Sequence, residues 1–484
     1  MIKAEVEKID NLIGHQEVTS TEYFDVYDPG LFTDVVAKVA KGTSETAEQA
    51  VQTAYRAFQK WKEVSVADRI KLVKQAAVVL EESTETLRPL LIRENGGTVK
   101  ESTADFIRGA SIIHNMAERA EAFLEPSCFE NKVSWMSIEK TPIGVIGLIV
   151  PWNSPIILTM CKLAPAILAG NTVIVKPSRD APAALTLALK AMAKVLPHGV
   201  INVVNGRSDV TITLTEHPLV RKISFTGGTD TGSSIMASAA STIKKVSLEL
   251  GGNDPAIILD DADITKIMPR LCKGIFTRAG QICFSVKRVY VPNHMLNAVY
   301  EAMSEIVNGY QVGHGLDERT TFGPLINQKQ YDYVQGLVEK ARQSGASIRQ
   351  LGKKVDPEQW KNGYYMLPTI VRDIDPHHEL VVSEQFGPVI PLISYSSIDE
   401  AIEMANGTEF GLCSSVWSED HEHALAVARK IEAGGTFINS HNVDSLSLDM
   451  PFGGVKQSGL GRERTEIGFS EYIEYQAIRM LKES

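Results

Sequence analysis

Short apolar runs between Gly144 and Leu250, each followed by a turn or a helical pattern, constrain the fold of this 484-residue chain most strongly. The runs are continuous rather than alternating, which is typical of strands that are buried on both faces of a parallel sheet. Helical spacing of apolar residues separates them, so the pattern predicts a parallel sheet with helices on both sides. Such sheets bind ligands beyond the carboxyl ends of their strands. The runs cover residues 144–150, 172–175, 201–204, 222–225 and 245–250.

Helical and alternating patterns organise the rest of the chain. Residues 44–125 carry apolar residues at helical spacing, and Ser44 is in position to cap the first helix. In residues 129–141, side chains alternate in the pattern typical of a strand, which predicts a β-hairpin arm. A second α/β pattern covers residues 255–452. With a strand-like tail over 470–484, these patterns and the length predict an α/β protein of about three structural units.

Composition excludes several classes of function. Lysine and arginine number 49 against 59 acidic residues, a formal net charge of −10, whereas proteins that bind nucleic acid or anionic membranes need basic surface. The uncharged stretch 142–161 contains three prolines and two glycines, which predicts buried pieces around a turn rather than a membrane span. Because the N-terminus has no apolar signal segment, we expect a cytoplasmic protein that binds neither nucleic acid nor membrane.

Cysteines and histidines do not cluster in metal-binding patterns. The five cysteines are thinly spread and odd in number, which fits neither a disulfide framework nor a zinc ribbon. His421 and His423 are separated by one residue at the start of a predicted helix, so their side chains do not share a helix face. We therefore predict no metal site.

Cys283 is the first candidate for chemistry. It follows Gly280 in a loop where glycine permits a sharp turn that exposes the sulfur and aims a backbone N–H beside it. A thiolate attacks carbonyl carbons well, provided that the surroundings activate the thiol. The alternative, favoured for a cysteine considered alone, is a small buried apolar side chain.

Glu249 is the second candidate, because it ends a predicted strand and precedes Gly251 and Gly252. A carboxylate at the carboxyl end of a parallel strand lies where ligands gather, and there it can serve as a general base for water. The alternative is a solvated residue at the rim of the sheet.

Lys176 and a glycine-rich turn are candidates for binding a nucleotide. Lys176 closes an apolar strand before Pro177, so its ammonium would point into the crevice and could hold ribose hydroxyls. The turn at 225–232 leads from a strand into a helix, whose first N–H groups suit a pyrophosphate. Its spacing is not G-x-G-x-x-G, so a purely structural turn is an equal alternative.

Several short motifs together resemble those of the aldehyde dehydrogenase superfamily, over essentially the whole chain. Their order and spacing make the resemblance specific. The motifs are Pro151-Trp152-Asn153, Lys176-Pro177-Ser178, Phe225-Thr226-Gly227-Gly228, Leu248-Glu249-Leu250-Gly251-Gly252, Gly280-Gln281-Ile282-Cys283, Glu384-Gln385-Phe386-Gly387-Pro388 and Pro451-Phe452-Gly453-Gly454.

The resemblance implies a covalent mechanism. The residue matching Cys283 attacks the aldehyde to give a thiohemiacetal, whose oxyanion is held by the amide matching Asn153 and by the cysteine's own N–H. Hydride transfer to the nicotinamide leaves a thioester, and the residue matching Glu249 activates the water that hydrolyses it. Glu463 matches a position with a proton-relay role in some relatives, and a structural ion pair with Arg462 is the alternative.

The resemblance also implies NAD or NADP as the cofactor. Lys176 and Glu384 match residues at its two riboses, Phe386 matches a residue near the nicotinamide, and Trp152 lies in the cofactor cleft. The glycine turn would lie near the pyrophosphate. The remaining expected contacts are Ser178, Arg179, Gly227, Gly228 and Gly232.

Arg179 departs from the family pattern. Relatives often carry glutamate there, which accepts the hydroxyls of the adenine ribose and repels a 2′-phosphate. Arginine is suited to bidentate phosphate contact, so we hypothesise that NADP is tolerated. The alternative is an outward ion pair with Asp180.

The fold implied by the resemblance has a Rossmann-like cofactor domain, a second α/β catalytic domain and a small β oligomerisation arm, in a homodimer or homotetramer. The expected bounds are 1–123 and 142–251 for the cofactor domain, 252–457 for the catalytic domain, and 124–141 with 470–484 for the arm.

The expected function is NAD(P)-dependent oxidation of a small-molecule aldehyde to a carboxylic acid. A relative that acylates coenzyme A is one alternative, disfavoured because such enzymes commonly lack the glutamate at Glu249. A non-catalytic nucleotide-binding member is a second, disfavoured by the intact Cys283, Glu249 and Asn153. A zinc alcohol dehydrogenase is a third, and no cluster of zinc ligands supports it.

The positions that match the substrate tunnel hint at the size of the aldehyde. Several relatives carry aromatic residues where Ser154 and Cys161 lie, so the smaller side chains predict a roomier tunnel for an aromatic or medium-chain aldehyde. The other tunnel positions are Leu158, Thr277, Ile282, Phe284 and Phe452.

Overall fold

The computed structural model describes residues 6–482, which form two large sheets with helices packed on them and several smaller sheets. Residues 1–5 and 483–484, the outer ends of the expected cofactor domain and arm, lie outside the described residues.

Short strands precede the helices predicted for residues 44–125. Thr43 caps the first helix, not Ser44, because the Thr43 hydroxyl accepts the N–H of Thr46 while the Thr46 hydroxyl accepts the N–H of Thr43. The expectation for Ser44 is therefore wrong by one residue. The elements are β1 (Glu7–Ile9), β2 (Asn11–Ile13), β3 (Gln16–Val18), β4 (Tyr23–Asp28), β5 (Leu31–Ala40), α1 (Ser44–Trp61), α2 (Val66–Glu82), α3 (Thr84–Asn95) and α4 (Val99–Leu124).

The central region alternates strands and helices, as the apolar runs predict. Pro155 begins a helix at the position where proline's missing N–H carries no penalty. The elements are β6 (Ser127–Glu130), β7 (Ser134–Pro142), β8 (Val145–Ile149), α5 (Pro155–Leu168), β9 (Thr172–Lys176), α6 (Ala183–Ala193), β10 (Ile201–Val203), α7 (Ser208–Glu216), β11 (Val220–Thr226), α8 (Thr229–Ala239) and β12 (Lys245–Glu249).

The second α/β pattern is also confirmed, and the chain ends in a long strand. The elements are β13 (Asp254–Ile258), α9 (Ile264–Phe276), β14 (Val286–Pro292), α10 (Leu296–Asn308), β15 (Gln311–Val312), α11 (Gln328–Gln343), β16 (Ser347–Gln350), β17 (Lys353–Lys354), β18 (Thr369–Arg372), α12 (Glu379–Val382), β19 (Val389–Tyr395), α13 (Ile398–Asn406), β20 (Cys413–Trp417), α14 (His421–Ala428), β21 (Gly435–Ile438), β22 (Gly459–Leu460), α15 (Thr465–Ser470) and β23 (Ile473–Leu481).

The first large sheet has the order β22-β12-β11-β8-β9-β10-β2-β3. The strands from β12 to β10 are parallel. At one side β22 pairs antiparallel with β12, and at the other side β2 pairs antiparallel with β10. The register aligns Ile149 with Lys176 and Thr226 with Glu249, so the candidate residues Lys176 and Glu249 end strands at the same edge of the sheet. On the outer side of Glu249, β22 places Gly459 opposite it.

The second large sheet has the order β16-β18-β19-β14-β13-β20-β21 and is parallel except for the edge pair β16 and β18. Its strand β14 directly follows the loop of Cys283, and helix α9, which comes after β13, precedes that loop. Its residues form the larger apolar core of the molecule, which includes the fully buried Trp417.

The hairpin and the tail form a separate sheet in the order β23-β7-β6. β23 pairs antiparallel with β7 from Ile473 opposite Pro142 to Leu481 opposite Ser134, which confirms the predicted hairpin and strand-like tail. The uncharged stretch 142–161 forms the end of β7, β8, a turn and the start of α5, as predicted. Among residues 6–482, no helix is both long and apolar enough to cross a membrane.

Candidate active site

The loop before Cys283 has an unusual backbone. Arg278, Ala279 and Gly280 have positive φ angles of 52°, 57° and 71°. Glycine is required at 280, because a Cβ atom there would collide with the carbonyl oxygen of Gly387. The loop presents Cys283, partly exposed, to a cavity of about 1060 Å³.

A buried lysine on β14 holds this loop. Lys287 Nζ donates hydrogen bonds to the Ile282 carbonyl at 2.6 Å, to Ser285 Oγ at 2.7 Å and to the Gly280 carbonyl at 3.4 Å. Burial lowers the pKa of the Lys287 ammonium. Because its acceptors lie on both sides of Cys283, Lys287 fixes the loop on either side of the sulfur.

The side chain of Asn153 lies against the same loop. Asn153 is buried, and its Nδ2 donates to the Gln281 carbonyl at 2.9 Å. The Arg278 guanidinium in turn donates to the backbone carbonyl of Asn153. Asn153 and Cys283 line one cavity, and the amide has a second N–H for an oxygen atom that develops charge there.

The turn after Glu249 contacts both the cysteine loop and Glu384. A Cβ atom on Gly252 would lie 2.5 Å from the Cys283 carbonyl oxygen, and one on Gly251 would lie 2.5 Å from Glu384 Oε2. The Gly252 N–H also donates to Glu384 Oε1 at 2.9 Å. Two successive glycines are therefore needed for this close approach, which brings Glu249, Cys283 and Glu384 into one region.

Glu249 is not a solvated residue at the rim, since it is 5% exposed. A Cβ atom on Gly453 would lie 2.7 Å from its Oε1, so glycine there leaves space for the carboxyl group. Its Oε2 has no hydrogen-bond partner among residues 6–482. Burial, followed by the negative charge of Glu463, raises the pKa of Glu249 well above its usual value.

Glu463 pairs with Lys162 rather than with Arg462. Lys162 lies fully buried on α5, and its Nζ donates to Glu463 Oε1. Arg462 donates instead to the carbonyls of Gly454 and Gly461, at 2.9 Å and 2.7 Å. The alternative of an ion pair with Arg462 is wrong, because these backbone carbonyls accept hydrogen bonds from its guanidinium. The Glu463 side chain lines the same cavity as Cys283.

The surroundings of Cys283 disfavour its thiolate. Burial raises the pKa of the thiol to about 12, and the charges of Glu384 and Glu249 act in the same direction, against the opposing charge of Lys287. A positive charge brought close to the sulfur would lower this pKa.

The glycine turn and Lys176 lie at the sheet edge expected for a nucleotide. Lys176 is buried, and burial lowers its pKa to about 8. Within residues 6–482, no side chain caps the first N–H groups of helix α8, which begins at Thr229, and a Cβ atom on Gly228 would meet nothing within 4 Å. Gly232 has a packing role, because a Cβ atom there would lie 2.5 Å from Leu250 Cδ2. A Cβ atom on Gly227 would likewise collide with a neighbouring aromatic ring.

Arg179 is exposed and does not pair with Asp180. Its guanidinium lies 5.9 Å from the centre of the Phe24 ring. Asp180 accepts a hydrogen bond from Asn327 Nδ2 at 3.2 Å, and its backbone N–H donates to Ser178 Oγ at 3.4 Å. The expected alternative of an Arg179–Asp180 ion pair is therefore not found in residues 6–482.

Trp152 and Phe386 form an aromatic pair beside the cysteine loop. Their ring centres are 5.7 Å apart at an angle of 86° between the planes. The Phe386 ring also lies 5.6 Å from the Nζ of Lys287, the residue that holds the loop.

The cavity in front of Cys283 has an apolar wall. Phe284 and Phe452 meet edge to face, 5.7 Å apart, and belong to an apolar cluster against which Cys283 packs. All the positions assigned to the tunnel line this cavity, namely Ser154, Leu158, Cys161, Thr277, Ile282, Phe284 and Phe452.

Sequence reasoning missed several charged residues of this region. Lys287 had a signal, because it interrupts the apolar strand β14, where a charged residue must be paired or hydrogen-bonded. Lys162 is likewise a charge within the apolar helix α5. Arg278 and Arg464 had no such signal, because they belong to polar loop segments.

Comparison with known proteins confirms the resemblance. A family model described as the aldehyde dehydrogenase family matches residues 15–478. A Staphylococcus saprophyticus protein provisionally named an aldehyde dehydrogenase is 38% identical over 464 residues, which cover 96% of either chain. A structure of betaine aldehyde dehydrogenase from Staphylococcus aureus in complex with NAD+ has a TM-score of 0.92 at 32% identity, covering 97% of this chain and 94% of that one. An NADP-dependent enzyme of E. coli has a TM-score of 0.94 at 31% identity, covering 98% of each chain. This chain therefore belongs to the aldehyde dehydrogenase family and is an oxidoreductase of that class.

Proposed function

We propose that this enzyme oxidises an aldehyde to a free carboxylic acid with NAD or NADP, using Cys283 as nucleophile, Asn153 as oxyanion donor and Glu249 as general base. The observation that carries the proposal is the glycine turn 251–252, which begins two residues after Glu249 and contacts both the Cys283 carbonyl and the Glu384 carboxylate. A nucleophile, a base and a cofactor-side carboxylate thus share one region.

The first half of the reaction takes place on Cys283. Its thiolate forms a bond to the carbonyl carbon, and the carbonyl oxygen becomes an oxyanion. The second N–H of Asn153 and the backbone N–H of Cys283 donate to that oxygen. A bound dinucleotide supplies the hydride acceptor, and loss of the hydride leaves a thioester on Cys283.

Glu249 carries out the second half. Its raised pKa makes the carboxylate a stronger base than that of an exposed glutamate, which suits a group that must take a proton from water. The resulting hydroxide adds to the thioester carbon, and the Cys283 thiolate leaves as the carboxylic acid forms. The unpartnered Oε2 is the acceptor for this water.

The sheet edge fits a dinucleotide. Lys176 offers a buried ammonium for ribose hydroxyls, the uncapped start of α8 offers N–H groups, and the space over Gly228 is open. The exposed guanidinium of Arg179, free of Asp180, supports use of NADP beside NAD. The NAD+ complex of the S. aureus enzyme and the NADP-dependent E. coli enzyme support either cofactor.

We also propose an aromatic or medium-chain aldehyde as substrate. The cavity of about 1060 Å³ is far larger than acetaldehyde needs, and its wall near Cys283 is apolar. For the chain as a whole we propose the division expected from sequence, with the β6–β7–β23 sheet as the arm that joins copies of the enzyme.

Single-turnover kinetics test the mechanism. Cys283→Ser is expected to abolish formation of reduced cofactor, whereas Glu249→Gln keeps the first burst and loses steady-state turnover by about 100-fold or more. A Cys283→Ser variant that still turns over contradicts the nucleophile. Acyl-coenzyme A formation by the native enzyme contradicts hydrolysis. A panel from acetaldehyde to benzaldehyde tests the substrate size, and a clear preference for acetaldehyde contradicts it.

A further inference from the structure

Arg464 places a guanidinium in the cavity that contains Cys283. Its central carbon lies 5.4 Å from the centre of the Phe452 ring, and the side chain lines the cavity. Two backbone hydrogen bonds between Phe452 and Glu463, at 2.9 Å and 2.7 Å, fix the segment from which Arg464 projects. The guanidinium is therefore held beside the apolar wall of the cavity.

This guanidinium has no carboxylate partner. Among residues 6–482, no acidic oxygen lies within 4.0 Å of it, and its Nε is buried without a hydrogen-bond partner. Its Nη1 makes a long contact of 3.4 Å to the Ser447 carbonyl. The nearby Glu463 carboxylate is already occupied by Lys162.

The other cations that line the cavity are paired or solvated. Arg108 and Lys273 both pair with Asp444, and Arg278 lies 3.8 Å from Asp105. Lys100 lies in an exposed position, where water solvates its ammonium. Arg464 thus differs from them, since it is partly buried and, among residues 6–482, has no carboxylate oxygen within 4.0 Å, although its charge also acts on the more distant Glu249.

A half-buried guanidinium is costly unless a charged acceptor matches it, and a carboxylate matches its two parallel N–H groups best. An aldehyde with a carboxylate at its other end supplies that acceptor. Its carbon skeleton can lie against Phe284 and Phe452, which form the apolar wall between the polar ends of the site.

We infer that Arg464 binds a carboxylate of the substrate, so that the enzyme acts on aldehydes that are also carboxylic acids, such as semialdehydes or formyl-substituted aromatic acids. This inference rests on the proposed function and narrows its substrate class. It makes Arg464 a residue that determines specificity rather than one that takes part in bond breaking.

Matched pairs of aldehydes test the inference. The probes are 4-carboxybenzaldehyde against 4-methylbenzaldehyde, and glutaric semialdehyde against pentanal, and the measured quantity is the ratio of kcat/KM within each pair. The native enzyme is expected to prefer the carboxylated member of at least one pair about tenfold or more, mainly through KM, as for a hydrogen-bonded charge. Arg464→Gln is expected to remove most of that preference, and Arg464→Lys to retain part of it.

Arg108→Gln serves as the control, because it removes a cavity cation that already has a partner, and we expect it to retain the preference. An equal preference in the native enzyme and Arg464→Gln overturns the inference, as does a native enzyme that oxidises the neutral aldehydes equally well. That second result leaves the proposed function intact. If no aldehyde of either kind reduces the cofactor, the proposed function fails as well.

Discussion

At the scale of single residues, Glu249 and Glu463 are two buried carboxyl groups in one site, and only Glu463 has a cationic partner. Glu463 has a lysine partner in Lys162, whereas Glu249 has an oxygen without a protein partner. Burial is the main cause of the raised pKa of Glu249, and the charge of Glu463 raises it further, so the paired residue contributes to the proton affinity of the unpaired one. A change at Glu463 should therefore be visible as a change in the titration of Glu249.

Glu463→Gln is expected to lower the pKa of Glu249. The substitution removes the opposing negative charge and leaves the positive charge of Lys162 unmatched, and both changes favour the carboxylate. A base with a lower pKa is deprotonated at lower pH, so the acid limb of the kcat profile should move to lower pH. Steady-state rates across the acid and neutral range measure the shift. Glu466→Gln, at a more exposed acid that pairs with Arg119, should leave the limb in place.

Arg179→Glu is expected to shift the cofactor preference towards NAD. An arginine can contact the 2′-phosphate of NADP, whereas a glutamate repels it. We expect the ratio of kcat/KM for NADP to that for NAD to fall by about tenfold or more, as for loss of a charged hydrogen bond. An unchanged ratio would show that Arg179 does not contact the cofactor.

At the scale of elements, the nucleophile loop depends on the strand that follows it. The left-handed residues 278–280 turn the chain, and Lys287 on β14 then donates to the Ile282 carbonyl before Cys283 and to the Ser285 hydroxyl after it. Hydrogen bonds thus anchor the loop to a buried strand, although Cys283 faces a cavity. We expect the rigidity of the loop to depend on Lys287.

Lys287→Met is expected to reduce both stability and catalysis. Two acceptors lose a short hydrogen bond, which should cost about 1–3 kcal/mol, and the displaced sulfur should lower kcat by about tenfold or more. Lys222→Met is the control, because Lys222 is also fully buried but lies on β11, where it hydrogen-bonds Ser247 and pairs with Glu471 at 3.2 Å. Thermal unfolding should show similar losses, and equal losses of kcat would contradict a positioning role for Lys287.

Elements with a strong local pattern were predictable from sequence, and contacts between distant segments were not. The continuous apolar run of β9 predicts a strand, and the proline at the start of α5 predicts a helix. Strands β1 and β3 have only three residues each and carry polar side chains, so they give no such signal. Motif order placed Cys283 and Glu249 in one candidate site. The pairing of Lys162 with Glu463 depends instead on the packing of α5 against the C-terminal segment, which no local pattern encodes.

At the scale of the whole molecule, the β23–β7–β6 sheet has two edge strands, β23 and β6. Several of its apolar side chains are exposed to solvent. On β23, Tyr475 is 56% exposed, Met480 58% and Leu481 66%. Unpaired edges and exposed apolar surface favour association with another chain. This is the surface through which we propose that copies of the enzyme associate.

The double variant Ile478→Glu with Met480→Glu is expected to weaken self-association. It places two charges on one face of β23, where burial against another copy would be unfavourable. Sedimentation velocity should then show a smaller species than the native enzyme. Ile243→Glu, at an isolated side chain that is 90% exposed, should leave the sedimentation coefficient unchanged. A double variant that sediments like the native enzyme would place the contact elsewhere.

The pairing of β22 with β12 has a consequence for protein synthesis. Gly459 covers the outer side of Glu249, yet it is translated long after both Glu249 and Cys283 have left the ribosome. Until then, β12 lacks its antiparallel neighbour beside the base. A polypeptide that stops before Gly459 therefore contains both Cys283 and Glu249 but not the strand that pairs with β12 at Glu249.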